Sequence, residues 1–320
     1  MVSLGLVFPP KSLFLPERDM PDLTGFVTMV TGGYAGIGYQ TVKALLKKNA
    51  KVYIAGRSRT KAEEAIGKLR NEVNGRVDAH FLELDLGNLK SVKRAVGDYT
   101  NRESKLHILF NNGGVMHPPL ESLTSDGYDD QFGINVLGHF YFTKLLLPIL
   151  LATAAQPSPR PFSGPTCRVR VVNTSSIAHY NATGIDFSIV RGHSEKRNKV
   201  GIEALYGQSK LANVIFAQEL HKRYGDMGIV STSLHPGIVK SELQRNFGGF
   251  QKCFMKIMPY TAESHGPLTQ LWAGTSPETE TYGGKYFTAW ARLGEPSPKA
   301  GDARLGEELW NWLEDQVKDI

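Results

Sequence analysis

The sequence predicts an α/β fold: a doubly wound parallel sheet with helices on both faces. Two features of the chain carry that expectation. Short runs rich in Val, Ile, Leu and Phe alternate with stretches of helical periodicity up to about residue 235, and the first such run passes through a glycine-rich turn into a helix. Runs that are apolar on both faces are what strands buried in a parallel sheet require. No internal repeat or shift in composition marks a second unit. The expected organisation of the 320 residues is an arm over 1–23 and one domain over 24–320.

The arm holds apolar pieces, Val2 to Phe8 and Leu13 to Leu15, interrupted by Pro9, Pro10, Pro16 and Pro21. The prolines break helical continuity, no basic stretch leads into an unbroken apolar core, and no piece approaches the ~20 apolar residues of a membrane span. An extended arm packed on the domain is expected, with no secretory leader and no membrane span. Strands are expected at 26–30, 51–55, 79–84, 106–110, 168–172 and 229–234, separated by helices at 37–48, 61–73, 89–101, 128–154 and 204–224. A short strand at 284–287 and an amphipathic helix at 304–318 close the chain. Two segments break the rhythm: residues 156–165, rich in proline and serine and read as a surface loop, and residues 185–200, a polar, basic insertion. Residues 243–260, with Phe247, Phe250, Phe254, Met255, Ile257 and Met258, read either as a substrate lid within about 240–265 or as plain core packing.

Hydrophobic content of 41% and charged content of 21% belong to an ordinary globular chain. The net charge of +6 is scattered, and the cluster Arg57, Arg59, Lys61 suits one phosphate rather than a nucleic-acid backbone, so no nucleic-acid partner is expected. Cys167 and Cys253 are the two cysteines, without ligand spacing around them. They read as reduced thiols of a cytoplasmic protein, with neither a disulfide nor a metal site.

The first strand runs into Thr31-Gly32-Gly33-Tyr34-Ala35-Gly36-Ile37-Gly38 at the start of a helix. Glycines allow a tight turn and a close backbone approach to a pyrophosphate. The N–H groups of a helix start then face the anion, so Gly32, Gly36, Ile37 and Gly38 are expected to bind a dinucleotide. The second strand ends at Gly56-Arg57-Ser58, where an NAD site usually presents an acidic residue. A guanidinium beside a hydroxyl suits a 2′-phosphate, which favours NADP(H). Asp85 follows the third strand, placed for an adenine amino group, and Asn112 ends the fourth at the carboxyl edge of the sheet.

Tyr206 and Lys210 lie four positions apart and so share a helix face. A phenol is a poor proton donor at neutral pH, and a neighbouring ammonium is expected to lower its pKa. His117, His139 and His179 flank this region; His139 and His179 are expected to be structural, since the tyrosine fills the acid–base role.

With these residues in place the chain resembles the short-chain dehydrogenase/reductase family. Thr31 to Gly38 matches the family's T-G-x-x-x-G-x-G turn, Asn111 to Gly114 its N-N-A-G element with Gly113 in place of alanine, and His235 to Val239 its P-G turn. The resemblance implies a Rossmann fold and a catalytic set of Asn135, Ser176, Tyr206 and Lys210, with Ser176 preferred to Ser175. It also implies that Val239 and Ser241 lie beside the cofactor, that Tyr206 and Lys210 bind it as well, Lys210 through the nicotinamide ribose, and that Asn135 holds a water linking Lys210 to solvent. Such proteins pair as homodimers or homotetramers through the helices bearing Asn135 and Tyr206. Tyr206 follows Ser176 by 30 positions, a long gap for the family. This gap is similar to that of the branch with retinol dehydrogenases and the WW-domain oxidoreductase, and of fungal reductases of secondary metabolism. The expected activity is hydride transfer between NADP(H) and a lipophilic carbonyl or alcohol. The alternative is a non-catalytic, redox-sensing NADP(H) binder. Epimerases of the related larger fold use T-G-x-x-G-x-x-G, a spacing that Gly32, Gly36 and Gly38 do not follow.

Overall fold

The computed structural model describes residues 4–157, 168–240, 243–244 and 259–320. Seven strands run parallel: β1 (Val27–Thr31), β2 (Lys51–Gly56), β3 (Ala79–Glu83), β4 (Ile108–Asn111), β5 (Val169–Thr174), β6 (Ile229–Leu234) and β7 (Tyr286–Thr288). An eighth, β8 (Arg292–Gly294), pairs antiparallel with β7, and the order is β3-β2-β1-β4-β5-β6-β7-β8. The chain winds outward from β1 in one direction and from β4 in the other. A crevice therefore opens at the carboxyl ends of these two strands, where α/β sheets bind ligands. The doubly wound sheet is as expected.

The principal helices, in chain order, are α1 (Gly36–Lys47), α2 (Arg59–Glu72), α3 (Leu89–Thr100), α4 (Gly138–Ala154), α5 (Ile202–Tyr224), α6 (Leu268–Thr275) and α7 (Ala303–Val317). Alternation along the strands feeds two cores, one per face. Val27, Met29, Tyr53 and Ala55 pack with α3, α4, α5 and α7, whereas Val30, Val52 and Ile54 pack with α1, α2, α6 and the arm residues Phe14, Met20 and Leu23. The arm thus contributes to the core, although Leu13 is exposed. Helix α6 and strand β8 are not among the expected elements. Helix α6 is short and contains two threonines and a glycine, so its burial against β4 and β5 outweighs a weak intrinsic preference.

Asp130–Ala154 is a continuous helical stretch long and apolar enough to cross a membrane; 67% of its most apolar window is buried inside the fold, where it acts as a core helix. Its outer flank and that of α5 are covered by α7. Trp310 meets Phe140 edge-on at 5.3 Å and lies under the Arg223 guanidinium at 4.2 Å, and Trp312 meets Phe132 at 5.6 Å.

The 185–200 insertion is stitched to the turn that starts the Asn135 helix. The Asp129 N–H donates to the Val190 carbonyl at 2.9 Å, and the Gly192 N–H to the Gly127 carbonyl at 2.8 Å. Arg197 donates to Asp129 at 2.7 Å with side chains 1% and 2% exposed, and the same carboxylate group accepts the Phe132 N–H at 2.9 Å. Removing one partner leaves a buried charge unmatched. Arg197→Met is therefore expected to lower stability in urea unfolding by about 3–5 kcal/mol. Pairing it with Asp129→Asn is expected to recover part of that loss; additive losses would show that the pair is not coupled.

Candidate active site

The crevice, of about 790 Å³, is lined continuously from the glycine-rich turn to Tyr206. That is the size of a pocket for a cofactor-sized ligand. At one end Gly32 takes a left-handed backbone with φ of +66°. A Cβ on Gly38 would overlap the Gly32 carbonyl and come within 2.7 Å of the Asn112 amide nitrogen, so only glycine closes this turn. Among the described residues no side chain caps α1 at Ala35, and its first turn holds no acidic residue. Gly36, Ile37 and Gly38 line the crevice there, so free N–H groups and the positive end of the helix suit a bound phosphate.

Asn112 and the turn are locked together. The Thr31 hydroxyl oxygen accepts the N–H groups of Asn112 (2.9 Å) and Gly113 (2.8 Å), while the Asn112 side chain donates to the Thr31 carbonyl at 2.8 Å. Arg57 and Lys61 line the crevice at the end of β2 and are exposed. Arg59 turns away, over the Phe81 ring at 4.9 Å. Ser58 accepts the Lys61 N–H at 3.3 Å as the cap of α2, so its oxygen is engaged in a structural bond. Asp85 lines the crevice and accepts the Gly87 N–H at 2.9 Å. Val239 lines the opposite wall, while Ser241 lies outside the described residues. The segment read as a lid also falls largely outside them. Its described flanks meet, with the Lys240 N–H donating to Tyr260 and the Ala262 N–H to Lys240, both at 3.0 Å.

At the other end, β5 delivers Ser175 and Ser176 with opposite fates. Ser175 is buried and donates to the Lys210 carbonyl at 2.6 Å. Ser176 lines the crevice, accepts the Ala178 N–H at 3.2 Å and is hydrogen-bonded to Tyr206. Lys210 donates to the Thr174 carbonyl at 3.1 Å, and its Nζ lies 5.7 Å from the Tyr206 ring centre. In the chain by itself, burial sets the pKa of both Tyr206 and Lys210. Burial pushes the Tyr206 phenol up to about 12, and the opposing pull comes from Ser176 rather than Lys210. Burial also pushes Lys210 down to about 7. Desolvation is the leading cause on both groups. Asn135 has its amide fully engaged: its oxygen accepts the Val115 N–H at 2.9 Å, and its nitrogen donates to the Val115 carbonyl at 3.0 Å and to Ser209 at 3.2 Å.

Burial also pushes three nearby imidazoles down, to about 4 for His139 and His179 and about 3 for His235. All three brace backbone. The His179 Nδ1–H donates to the Ser176 carbonyl at 2.7 Å, and His235 Nδ1 accepts the Ile177 N–H at 3.1 Å. His117 stands edge-on to Tyr206 at 5.8 Å, its own N–H held by the buried Gln131 at 2.9 Å. Sequence reasoning did not reach Tyr34, Asn181 and Glu203, which also line the crevice. The Tyr34 ring lies against Gly56, and its place inside the glycine turn is the signal that points to it.

The family profile for short chain dehydrogenases matches residues 27–183. A short-chain dehydrogenase/reductase of Armillaria gallica is 49% identical over 316 residues, covering 99% of this chain and 97% of its own. Mouse retinol dehydrogenase 12 is 36% identical over 292 residues, covering 90% and 85% of the two chains. A crystal structure of an uncharacterised protein from Mycobacterium paratuberculosis superposes with a TM-score of 0.71 at 26% identity, covering 95% of this chain and 97% of the other. A short-chain dehydrogenase from Burkholderia cenocepacia, solved with NADP, has the same fold, with a TM-score of 0.62 at 24% identity over 84% and 98% of the chains. Nearly half of all positions are shared with the Armillaria protein along almost the whole of both molecules, and on that ground the chain belongs to the short-chain dehydrogenase/reductase family of oxidoreductases.

Proposed function

We propose that the protein is an NADP(H)-dependent oxidoreductase that interconverts a carbonyl and an alcohol on a lipophilic small molecule. The observation that carries this reading is the placement of Ser176, Tyr206 and Lys210 in one crevice with the uncapped turn at Gly36 to Gly38. NADPH, when bound, supplies the hydride. Tyr206 gives its phenol proton to the carbonyl oxygen in the reducing direction and takes it back in the oxidising one. Ser176 donates to the same oxygen and favours the negative charge that develops there. Lys210, one helical turn from Tyr206, offsets the phenolate left behind and holds the Thr174 carbonyl, fixing the end of β5. The engaged Asn135 amide supports a role in holding Val115 and Ser209 in place; a water at its site would have to meet the backbone.

The substrate end supports a lipophilic molecule with some polar groups. Val115, Met116, Ile177, Ala178 and Ile238 provide apolar wall, and His117, Asn181 and Glu203 stand among them. The mouse relative bears the name of a retinol dehydrogenase, an enzyme of a lipophilic alcohol. A role in fungal secondary metabolism rests on the resemblance carried by the gap between Ser176 and Tyr206, and the Armillaria relative adds that a fungus carries a similar protein. The cysteine pattern supports a cytoplasmic, reducing location.

A panel of lipophilic ketones and alcohols, followed by nicotinamide absorbance with NADPH and NADP⁺, tests the reading; no turnover across such a panel would sink it. The cofactor choice has its own test. Arg57→Ala is expected to weaken NADPH binding by on the order of 10- to 100-fold, the worth of a charge-assisted hydrogen bond, with NADH binding nearly unchanged. Equal losses for the two cofactors would show that Arg57 does not read the 2′-phosphate.

A further inference from the structure

His139 lies between the two ends of the crevice, 3% exposed, and has no place in the chemistry above. Its Nδ1 is 3.1 Å from the Asn135 carbonyl oxygen and its Nε2 is 2.9 Å from the Thr31 hydroxyl. A carbonyl oxygen only accepts, so Nδ1 carries the proton. Burial keeps the ring neutral at physiological pH, so Nε2 is bare and must accept. The Thr31 hydroxyl therefore donates to Nε2, in preference to the Phe110 carbonyl at 3.3 Å, while its oxygen receives the N–H groups of Asn112 and Gly113. A single proton arrangement satisfies every member of the chain.

Beyond the imidazole, Asn135 sits in a widened π-turn, Gly133–Leu137, closed by the Gly138 N–H reaching back to the Gly133 carbonyl. Such turns disturb the regular backbone ladder and are found at functional sites. Here His139 supplies the Asn135 carbonyl with a side-chain donor. Asn135 and Lys210 both flank Gly114: a Cβ there would lie 2.8 Å from the Asn135 side-chain oxygen and 3.7 Å from Lys210 Nζ.

We propose that His139 is a positioning residue that couples the glycine-rich turn to the catalytic end of the crevice, through the chain Thr31–His139–Asn135. The coupling means that a ligand held at the turn is felt at Asn135 beyond any direct contact. It rests on the reading above for the choice of NADPH as probe, and not on hydride transfer.

The test is a double-mutant cycle read by NADPH fluorescence titration. Thr31→Val and His139→Phe are each expected to raise Kd on the order of 10-fold, since each leaves a buried polar group without its partner. The double variant is expected to be no worse than the weaker-binding single one. His139→Gln, with one donor and one acceptor on its amide, is expected to bring Kd back to within about threefold of the wild type. A merely structural histidine would lower Tm and leave Kd unchanged, and that result, or additive losses, overturns the coupling. If His139→Phe does not fold, imidazole ¹⁵N shifts of the wild type decide: a neutral ring protonated at Nδ1 is expected, and one protonated at Nε2 overturns the chain. Failure of the wild type to bind NADPH would sink the cofactor reading and this coupling together; unchanged Kd in the variants sinks the coupling alone.

Discussion

Tyr206→Phe is expected to bind NADPH within about twofold of the wild type while turnover falls on the order of 10²- to 10⁴-fold, the usual worth of a positioned proton donor. The substitution removes one oxygen from a side chain that is 5% exposed and leaves the ring's packing intact, including the edge-on contact with His117 at 5.8 Å. Ser176 keeps its bond from the Ala178 N–H, so on the proposed mechanism the residual rate measures what polarisation achieves without a proton. Burial pushes the phenol up to about 12, so the tyrosine keeps its proton at neutral pH. Turnover close to the wild-type value, measured beside an unchanged Kd, would remove Tyr206 from the chemistry.

Lowering the pH from 7.5 to 5 is expected to cost several kcal/mol of stability. His107, His139 and His179 are each pushed down to about 4 by burial, and His235 to about 3. Their folded pKa values lie below the unfolded value of about 6.5, so the fold prefers the neutral rings. Above pH about 6.5 both states are neutral and the contribution is complete. As pH falls toward 4 the unfolded chain binds protons that the folded one refuses, and stability drops by about 1.4 kcal/mol per pH unit for each ring. By pH 5 that is about 2 kcal/mol per histidine, against a total of about 5–15 kcal/mol for a typical protein. Asp130, which burial pushes up, works in the opposite direction. Urea midpoints across this range measure the effect. His107→Asn is expected to flatten the slope by one ring's share, because His107 is bound through Nδ1 to the Val27 N–H at 3.0 Å, far from the crevice. A midpoint that does not move between pH 7.5 and 5 would show that these rings are free to titrate in the folded protein.

Much of this was legible in the residues. Strands buried on both faces announce themselves as apolar runs, and the glycine turn needs its neighbours so closely packed that few other sequences would serve. Local pattern says less about what a side chain does once buried. Ser58 has the chemistry to meet a phosphate, yet its position at the start of α2 gives its oxygen to the Lys61 N–H. Lys210 has the charge to acidify Tyr206, but taking both groups out of water moves each the other way, and desolvation is not written in spacing. The insertion at 185–200 reads as polar and basic, and only the fold shows Arg197 at its end buried against Asp129. Helix α6 was hidden because burial makes it rather than propensity.

The closing helix α7 has a consequence for assembly. Trp310 and Trp312 seal the flank of the two helices through which relatives were expected to associate. One patch cannot host its own tail and a second molecule at the same time. An assembly that used the part of those helices covered by α7 would require α7 to lift away first.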